Sequence, residues 1–152
     1  MVGNTKHIAR ADQVRLTTLF EIGCIPCMLD GMDGEPATIH HSTIGGRRHE
    51  DQHQKTYGAC AWHHLGIVPD YVNGSVRLAT DMLGPSLHHQ KKPYAARYGD
   101  EVTLIQVADG LVRLVLRSRE AGEYLDAKEI GDLCRAMWHE IREKRQLTHR
   151  NR

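Results

Sequence analysis

Two cysteines separated by two residues, Cys24-Ile-Pro-Cys27, and a second pair at the same spacing, Cys60-Ala-Trp-His63, point most directly to chemistry in this chain. Two intervening residues let both donor atoms of a pair turn toward one point. Alone, a Cys-x-x-Cys reads equally as a chance pair, a redox pair or half a metal site, and Cys60 alone reads as a small core residue. Together the four residues make a Cys3His set suited to a closed tetrahedral zinc held by Cys24, Cys27, Cys60 and His63. Histidine is the other outlier, with 11 in 152 residues. Imidazole is a common metal ligand and a base near neutral pH. Adjacent pairs stand at His40-His41 and His63-His64. Neighbours on a strand point to opposite faces, so His40 and His41 should do different work. If His63 faces the zinc, His64 faces elsewhere. Ordinary surface or core histidines would explain a lone pair; two pairs flanking one staple count against that.

The elements that must position these groups are legible to different degrees. Ile8, Ala11, Val14 or Arg15, Leu19 and Ile22 repeat at helical spacing over 7–22, and Gly23 stops the run just before Cys24. Residues 30–36 are turn-rich, and Ala37–His41 read as a short strand. An irregular polar stretch starts at Gly45 and runs to Gly58, after which residues 59–65 hold better helix formers. Residues 67–86, with Pro69, Gly74, Gly84 and Pro85, read as loop. Residues 93–98 read as one or two helical turns. Over 100–117 the Asp109-Gly110 pair is a hairpin signal. Leu104, Val107, Ala108, Leu111, Val112 and Val115 instead fit one helix face, which we favour. Asp126 and Glu129 form a capping box for a last helix striped by Ile130, Leu133, Cys134, Met137, Trp138 and Ile141. Trp62, Met137 and Trp138 read as core, and Cys134 as a buried thiol.

Composition sets the bounds. Hydrophobic residues are 40% of the chain, with one Phe, so a metal would supplement a small core. The N-terminal residues carry charges without an apolar signal core, and no run approaches the roughly 20 apolar residues of a membrane span. A cytoplasmic protein is expected, in which four cysteines read as ligands or buried thiols before disulfides. Net charge is +1, and the clustering of cations says more than the total. Arg47-Arg48 follow the first His pair, Lys91-Lys92 and Arg97 follow His88, and Arg142, Lys144, Arg145, Arg150 and Arg152 lie in the tail. Cations beside a cleft neutralise phosphates and make binding salt-dependent. Arg142–Arg145 alternate with Glu140 and Glu143 and read equally as a solvated face.

Cys-x-x-Cys, then His-His, then Cys-x-x-His-His resembles the HNH, or ββα-metal, nucleases. ATIHHSTIGGRRHEDQH, YGACAWHHLGI and GPSLHHQKKPYAARYG are further similar to the Ref branch, phage recombination-enhancement nucleases that act with RecA filaments. The resemblance covers roughly residues 20–100. It implies an α+β fold: a small ββα-metal core stapled by structural zinc, with N-terminal and C-terminal helices. A nuclease domain over 1–99 and a helical extension over 100–152 follow. It also implies a DNA endonuclease using Mg²⁺ or Mn²⁺, or Zn²⁺, in a bacterial cell or phage host. His41 would be the general base, and His40 and His64 ligands of the catalytic metal. No Asn stands between His41 and Cys60, where the superfamily usually has one; His53 resembles a His found there in the branch, and Thr56 could also serve. His88 either completes the metal site or lies on a surface loop. Arg47, Arg48, Lys91 and Lys92 are the DNA-contact candidates.

Two alternatives compete. A non-catalytic zinc module that binds DNA or a protein would share the staple and lack the base and second metal. His49-Glu50-Asp51-Gln52-His53 spells the zinc-protease signature, which needs both His and the Glu on one helix. The Gly-Gly-Arg-Arg before it and the polar residues after it leave such a helix no apolar face. A zinc deaminase is excluded, since no His-x-Glu precedes a Pro-Cys-x-x-Cys. His7, His139 and His149 receive no role.

Overall fold

A computed structural model describes residues 8–44 and 51–150. Arg47, Arg48, His49, Glu50 and His7 lie outside the described residues. The first helix, α1 (Arg10–Ile22), buries Thr18, Leu19 and Ile22 and turns Arg15 inward, so Arg15 rather than Val14 continues its inner face. It ends at Gly23, whose φ of 95° is open to glycine. A Cβ there would stand 2.6 Å from the Glu35 carbonyl oxygen, which accepts the Cys24 N–H at 2.9 Å. The chain then enters the short helix α2 (Ile25–Leu29), with Cys24 as its N-cap.

Strands β1 (Thr38–His41) and β2 (Thr56–Ala59) pair antiparallel, with Thr38 opposite Ala59, His40 opposite Tyr57 and His41 opposite Thr56. The polar stretch thought irregular to Gly58 therefore ends in a buried strand. Polarity is misleading there because Thr56 and Tyr57 bury with their polar atoms bonded. At Gly58 a Cβ would meet the Gly23 carbonyl oxygen at 2.5 Å, so this glycine lets β2 pass directly behind the Cys24 turn. Helix α3 (Ala61–Leu65) follows with Cys60 as N-cap, giving the order strand, strand, helix among the described residues.

Residues 67–86 are not all loop. After a 3-10 turn at Asp70–Val72 comes α4 (Val76–Leu83), capped by the Ser75 side chain, which accepts from the Leu78 N–H at 3.1 Å. Pro and Gly flank this helix rather than break it, and only Ala79 within it is buried. Helix α5 (Lys91–Tyr98) buries Tyr94 and Tyr98.

Residues 100–117 form helix, in α6 (Glu101–Glu120), whose predicted stripe is buried throughout. The Asp109-Gly110 turn signal loses to the continuous apolar face, and Gly110 lets α7 approach, with Met137 lying against it. Helix α7 (Ala127–Arg150) starts with the expected box: Glu129 N–H donates to Asp126 Oδ1 at 2.8 Å, and Asp126 N–H to Glu129 Oε2 at 2.7 Å. Ile130 and Cys134 bury fully, with Leu133, Met137, Trp138 and Ile141 against them. One core unites Leu19, Ile25, Met28, Tyr57, the α6 stripe and Cys134. Among the described residues, no helix is long and apolar enough to cross a membrane.

Asp100 secures the start of α6. Its Oδ1 accepts the Thr103 N–H at 2.9 Å and the Arg145 guanidinium from α7 at 2.6 Å. The Arg145 hydrogen bond and the cap hold its carboxyl down to about 2, from an ordinary 3.8. A carboxylate with a depressed folded pKa stabilises above its unfolded value and loses that contribution as pH falls through the folded one. Asp100→Ala should therefore cost about 1 kcal/mol at pH 7, mostly the cap, since the pair with Arg145 is solvent-screened. In thermal melts the gap from wild type should narrow as pH drops from about 4 toward 2.

Candidate functional site

Cys24, Cys27, Cys60 and His63 converge although the two pairs lie 33 and more residues apart. Each pair is built the same way: the N-cap cysteine sulfur accepts a backbone N–H three residues on, from Cys27 at 3.5 Å and from His63 at 3.4 Å. His63 Nδ1 lies 3.5 Å from Cys24 Sγ, 3.4 Å from Cys27 Sγ and 3.2 Å from Cys60 Sγ, and Cys27 Sγ lies 3.8 Å from Cys60 Sγ. A tetrahedral zinc with its usual bond lengths sets sulfurs about 3.8 Å apart and sulfur from nitrogen about 3.6 Å. The donor set therefore fits zinc both in chemistry and in edge length. His63 Nε2–H donates to the Leu83 carbonyl at 2.9 Å, which leaves the lone pair on Nδ1, toward the sulfurs. Leu83 closes α4, so the helix absent from the sequence reading supplies the partner that orients this ligand. Burial pushes the Cys24 thiol up, and neighbouring sulfurs push Cys27 up while holding Cys60 low. Three thiolates packed this closely need a cation. All four cysteines are free, and Cys134 is a separate buried thiol.

Beside this cluster, β1 divides its histidines between two faces, as strand alternation requires. His40 lies over Tyr57 with ring centroids 4.8 Å apart and meets the His64 ring edge-on at 4.9 Å. Thr38 shares that face, two residues back. Its hydroxyl donates to the Ala59 carbonyl at 2.9 Å and so must accept from His64 Nδ1–H at 2.8 Å. His64 Nε2 keeps the lone pair. His40 Nε2–H donates to Glu101 Oε1 at 2.7 Å, and its Nδ1 is the one buried side-chain polar atom without a hydrogen-bond partner among the described residues. Two imidazoles in ring contact thus each present an uncommitted nitrogen.

On the other face, exposed His41 places Nε2 3.2 Å from His53 Nδ1. Burial lowers the His41 pKa, as do the charges of His53 and His40, against a hydrogen bond to the Ile39 backbone. His53 sits in a turn over 51–54, so the helix that the His-Glu-x-x-His motif needs is not formed there. Arg15 anchors this turn, donating to the His53 carbonyl at 3.1 Å and the Thr56 carbonyl at 2.9 Å while pairing with Asp109 at 2.7 Å. Thr56 is buried and donates to the His53 carbonyl at 2.8 Å, so it shapes the turn.

His88 is exposed in the loop after α4, and its ring packs on that of His89, whose Nε2 lies 2.9 Å from the Gly66 carbonyl. Lys91 and Lys92 are exposed at the start of α5. They line a cavity of about 410 Å³ with Thr43, Ile44, Leu87 and Glu101, the residue whose carboxylate also meets His40. Sequence reasoning missed Arg15, Thr38 and Glu101. Strand alternation places Thr38 beside His40, but no local signal links Glu101 to a histidine 61 residues earlier.

Elemental analysis should find zinc in the purified chain, and Cys27→Ser should lose that zinc. Loss of several kcal/mol would lower the melting temperature by on the order of 10 °C for a chain of this size.

A family model described as recombination enhancement, RecA-dependent nuclease matches residues 9–113. No curated protein matches the chain in a sequence comparison. The matched span holds the Cys3His cluster, the hairpin, α3, α4, α5 and the first part of α6, and thus every residue of the two histidine faces. Over more than half its length, therefore, this chain belongs to the recombination enhancement, RecA-dependent nuclease family.

Proposed function

We propose that this nuclease is a metal-dependent DNA endonuclease built on a ββα-metal core formed by β1, β2 and α3, with zinc at Cys24, Cys27, Cys60 and His63 as its structural staple. The observation that carries the reading is the partnerless Nδ1 of His40 and the free Nε2 of His64, on two rings whose centroids lie 4.9 Å apart. A buried nitrogen without a partner is costly, and a divalent cation would satisfy both at once. Mg²⁺ or Mn²⁺ held there would neutralise charge on the scissile phosphate and the departing oxygen.

His41 is the general base. Its lowered pKa keeps the imidazole neutral near pH 7, and its exposure gives water access. The water proton passes to His41 as the new P–O bond forms. The opposite P–O bond breaks, and the departing oxygen takes a proton from solvent. His53, held by the Arg15-anchored turn, fixes the His41 ring. Lys91 and Lys92 bind phosphates of the strand entering the cavity, a task that Arg47 and Arg48 share in this reading. A DNA strand coated by a RecA-type filament is the proposed substrate, from the family description.

His41→Ala should lower nicking of DNA in Mg²⁺ or Mn²⁺ by about 10²–10⁴-fold while leaving zinc content and melting temperature unchanged. Unchanged nicking would remove His41 from the mechanism. The same assay with and without a RecA filament, on single- and double-stranded DNA, tests the partner. Replacing both Lys91 and Lys92 by Ala should weaken DNA binding and flatten its log–log salt dependence by roughly 1–2. A salt slope equal to wild type would place these lysines off the DNA path.

A further inference from the structure

Glu101 is the first residue of α6, directly after the cap at Asp100, and both its carboxylate oxygens are committed to the segment around His41. Oε1 accepts from His40 Nε2–H at 2.7 Å and Oε2 accepts from Ser42 Oγ at 2.8 Å. Residues 40 and 42 flank His41, so one carboxylate grips the chain on either side of the proposed base. The Ser42 hydroxyl in turn accepts the Ile44 N–H at 3.1 Å, which extends the hold into the start of the following loop. The contact is sheltered: the side chains are 12% exposed for His40 and 25% for Glu101.

An ionised carboxylate only accepts hydrogen bonds, so it dictates where the His40 proton resides. With Nε2 protonated, the neutral ring carries its lone pair on Nδ1, the buried nitrogen that has no partner. Thr38 acts on His64 with the opposite polarity, holding a proton on Nδ1 and freeing Nε2. We propose that Glu101 is a positioning residue for metal binding: it fixes the His40 tautomer, turns Nδ1 toward the cation shared with His64, and strengthens that nitrogen as a donor. This rests on the reading above, in which His40 and His64 hold the catalytic cation. It places one determinant of the site on α6, outside the hairpin and helix that carry the histidines.

The test uses the full zinc-loaded chain and three readouts. Long-range ¹H–¹⁵N spectra without added Mn²⁺ should show His40 protonated at Nε2 in wild type, and a mixture of tautomers in Glu101→Ala. Mn²⁺ titration followed by electron paramagnetic resonance should show about 10–100-fold weaker binding in Glu101→Ala. Nicking by that variant should need correspondingly more Mn²⁺ and recover toward the wild-type rate at saturation. Glu101→Gln retains a neutral acceptor and the side-chain shape, so it should keep the tautomer and recover part of the affinity. It also serves if the alanine variant fails to fold, as judged by zinc content and melting. Unchanged Mn²⁺ affinity or an unchanged His40 tautomer in Glu101→Ala, with affinity lost in His40→Ala, would overturn the role of Glu101 and leave the metal site standing. Undiminished Mn²⁺ binding in both His40→Ala and His64→Ala would overturn the site itself and Glu101's role with it.

Discussion

Four donor atoms from two distant segments must meet within the edge length of one small tetrahedron, and the arrangement of the elements around the hairpin follows from that meeting. To bring Cys24 and Cys27 against Cys60 and His63, the chain needs α2 and α3 to begin side by side. The hairpin between them is the connection that returns the chain to the same place. Gly23 and Gly58 make the return possible, since any side chain at either position would strike a backbone carbonyl. Once His63 is fixed at the start of α3, its neighbour His64 is carried onto the Thr38 and His40 face of β1. The structural cluster and the proposed catalytic ligands are thus coupled through one short helix.

Orientation of the histidines comes partly from the hairpin itself and partly from outside it. The Leu83 carbonyl sets His63, the Thr38 hydroxyl sets His64, Glu101 sets His40, and the Arg15-held turn presents His53 to His41. The partners of His63, His64 and His40 each take one ring nitrogen and leave the lone pair on the other, as groups behind metal-binding imidazoles do. The donors α1, α4 and α6 are held in turn by packing: α1 and α6 share the main core, and α4 sits with Trp62 and Val72 in a smaller one. Trp62 Nε1–H donates to the Gly84 carbonyl at 3.0 Å, one residue beyond the carbonyl that His63 uses. Packing of the helices and aim of the imidazoles are therefore the same property.

The α6–α7 pair does more than close the core. Arg145 reaches from α7 to Asp100 at the head of α6, and Trp138 Nε1–H donates to the Tyr98 carbonyl at 2.6 Å at the end of α5. Both contacts fall on residues just before Glu101 in sequence. The segment that delivers a carboxylate to His40 is thereby tethered on its N-terminal side by the C-terminal helix.

Spacing and periodicity alone determined the Cys3His set, the strand that carries the His pair, the split of that pair onto two faces, and the buried stripes of α6 and α7. These are short-range properties: two residues between ligands, alternation on a strand, and a helical repeat all act within a few residues. The nuclease assignment came from a resemblance in motif order, and the family match bears it out. Only the tertiary structure decided the rest. It placed α4 where Pro and Gly had suggested loop, because that helix has one buried residue and borrows its stability from Trp62 and Val72. It converted a polar stretch into β2, because the polar atoms of Thr56 and Tyr57 find partners inside. It brought Glu101 to His40 across 61 residues, a contact created by packing α6 against the hairpin and written in no local pattern. The Cys3His cluster is therefore the part of the site that the chain spells out directly, while the aim of His63 and His40 is set by groups on helices folded from elsewhere.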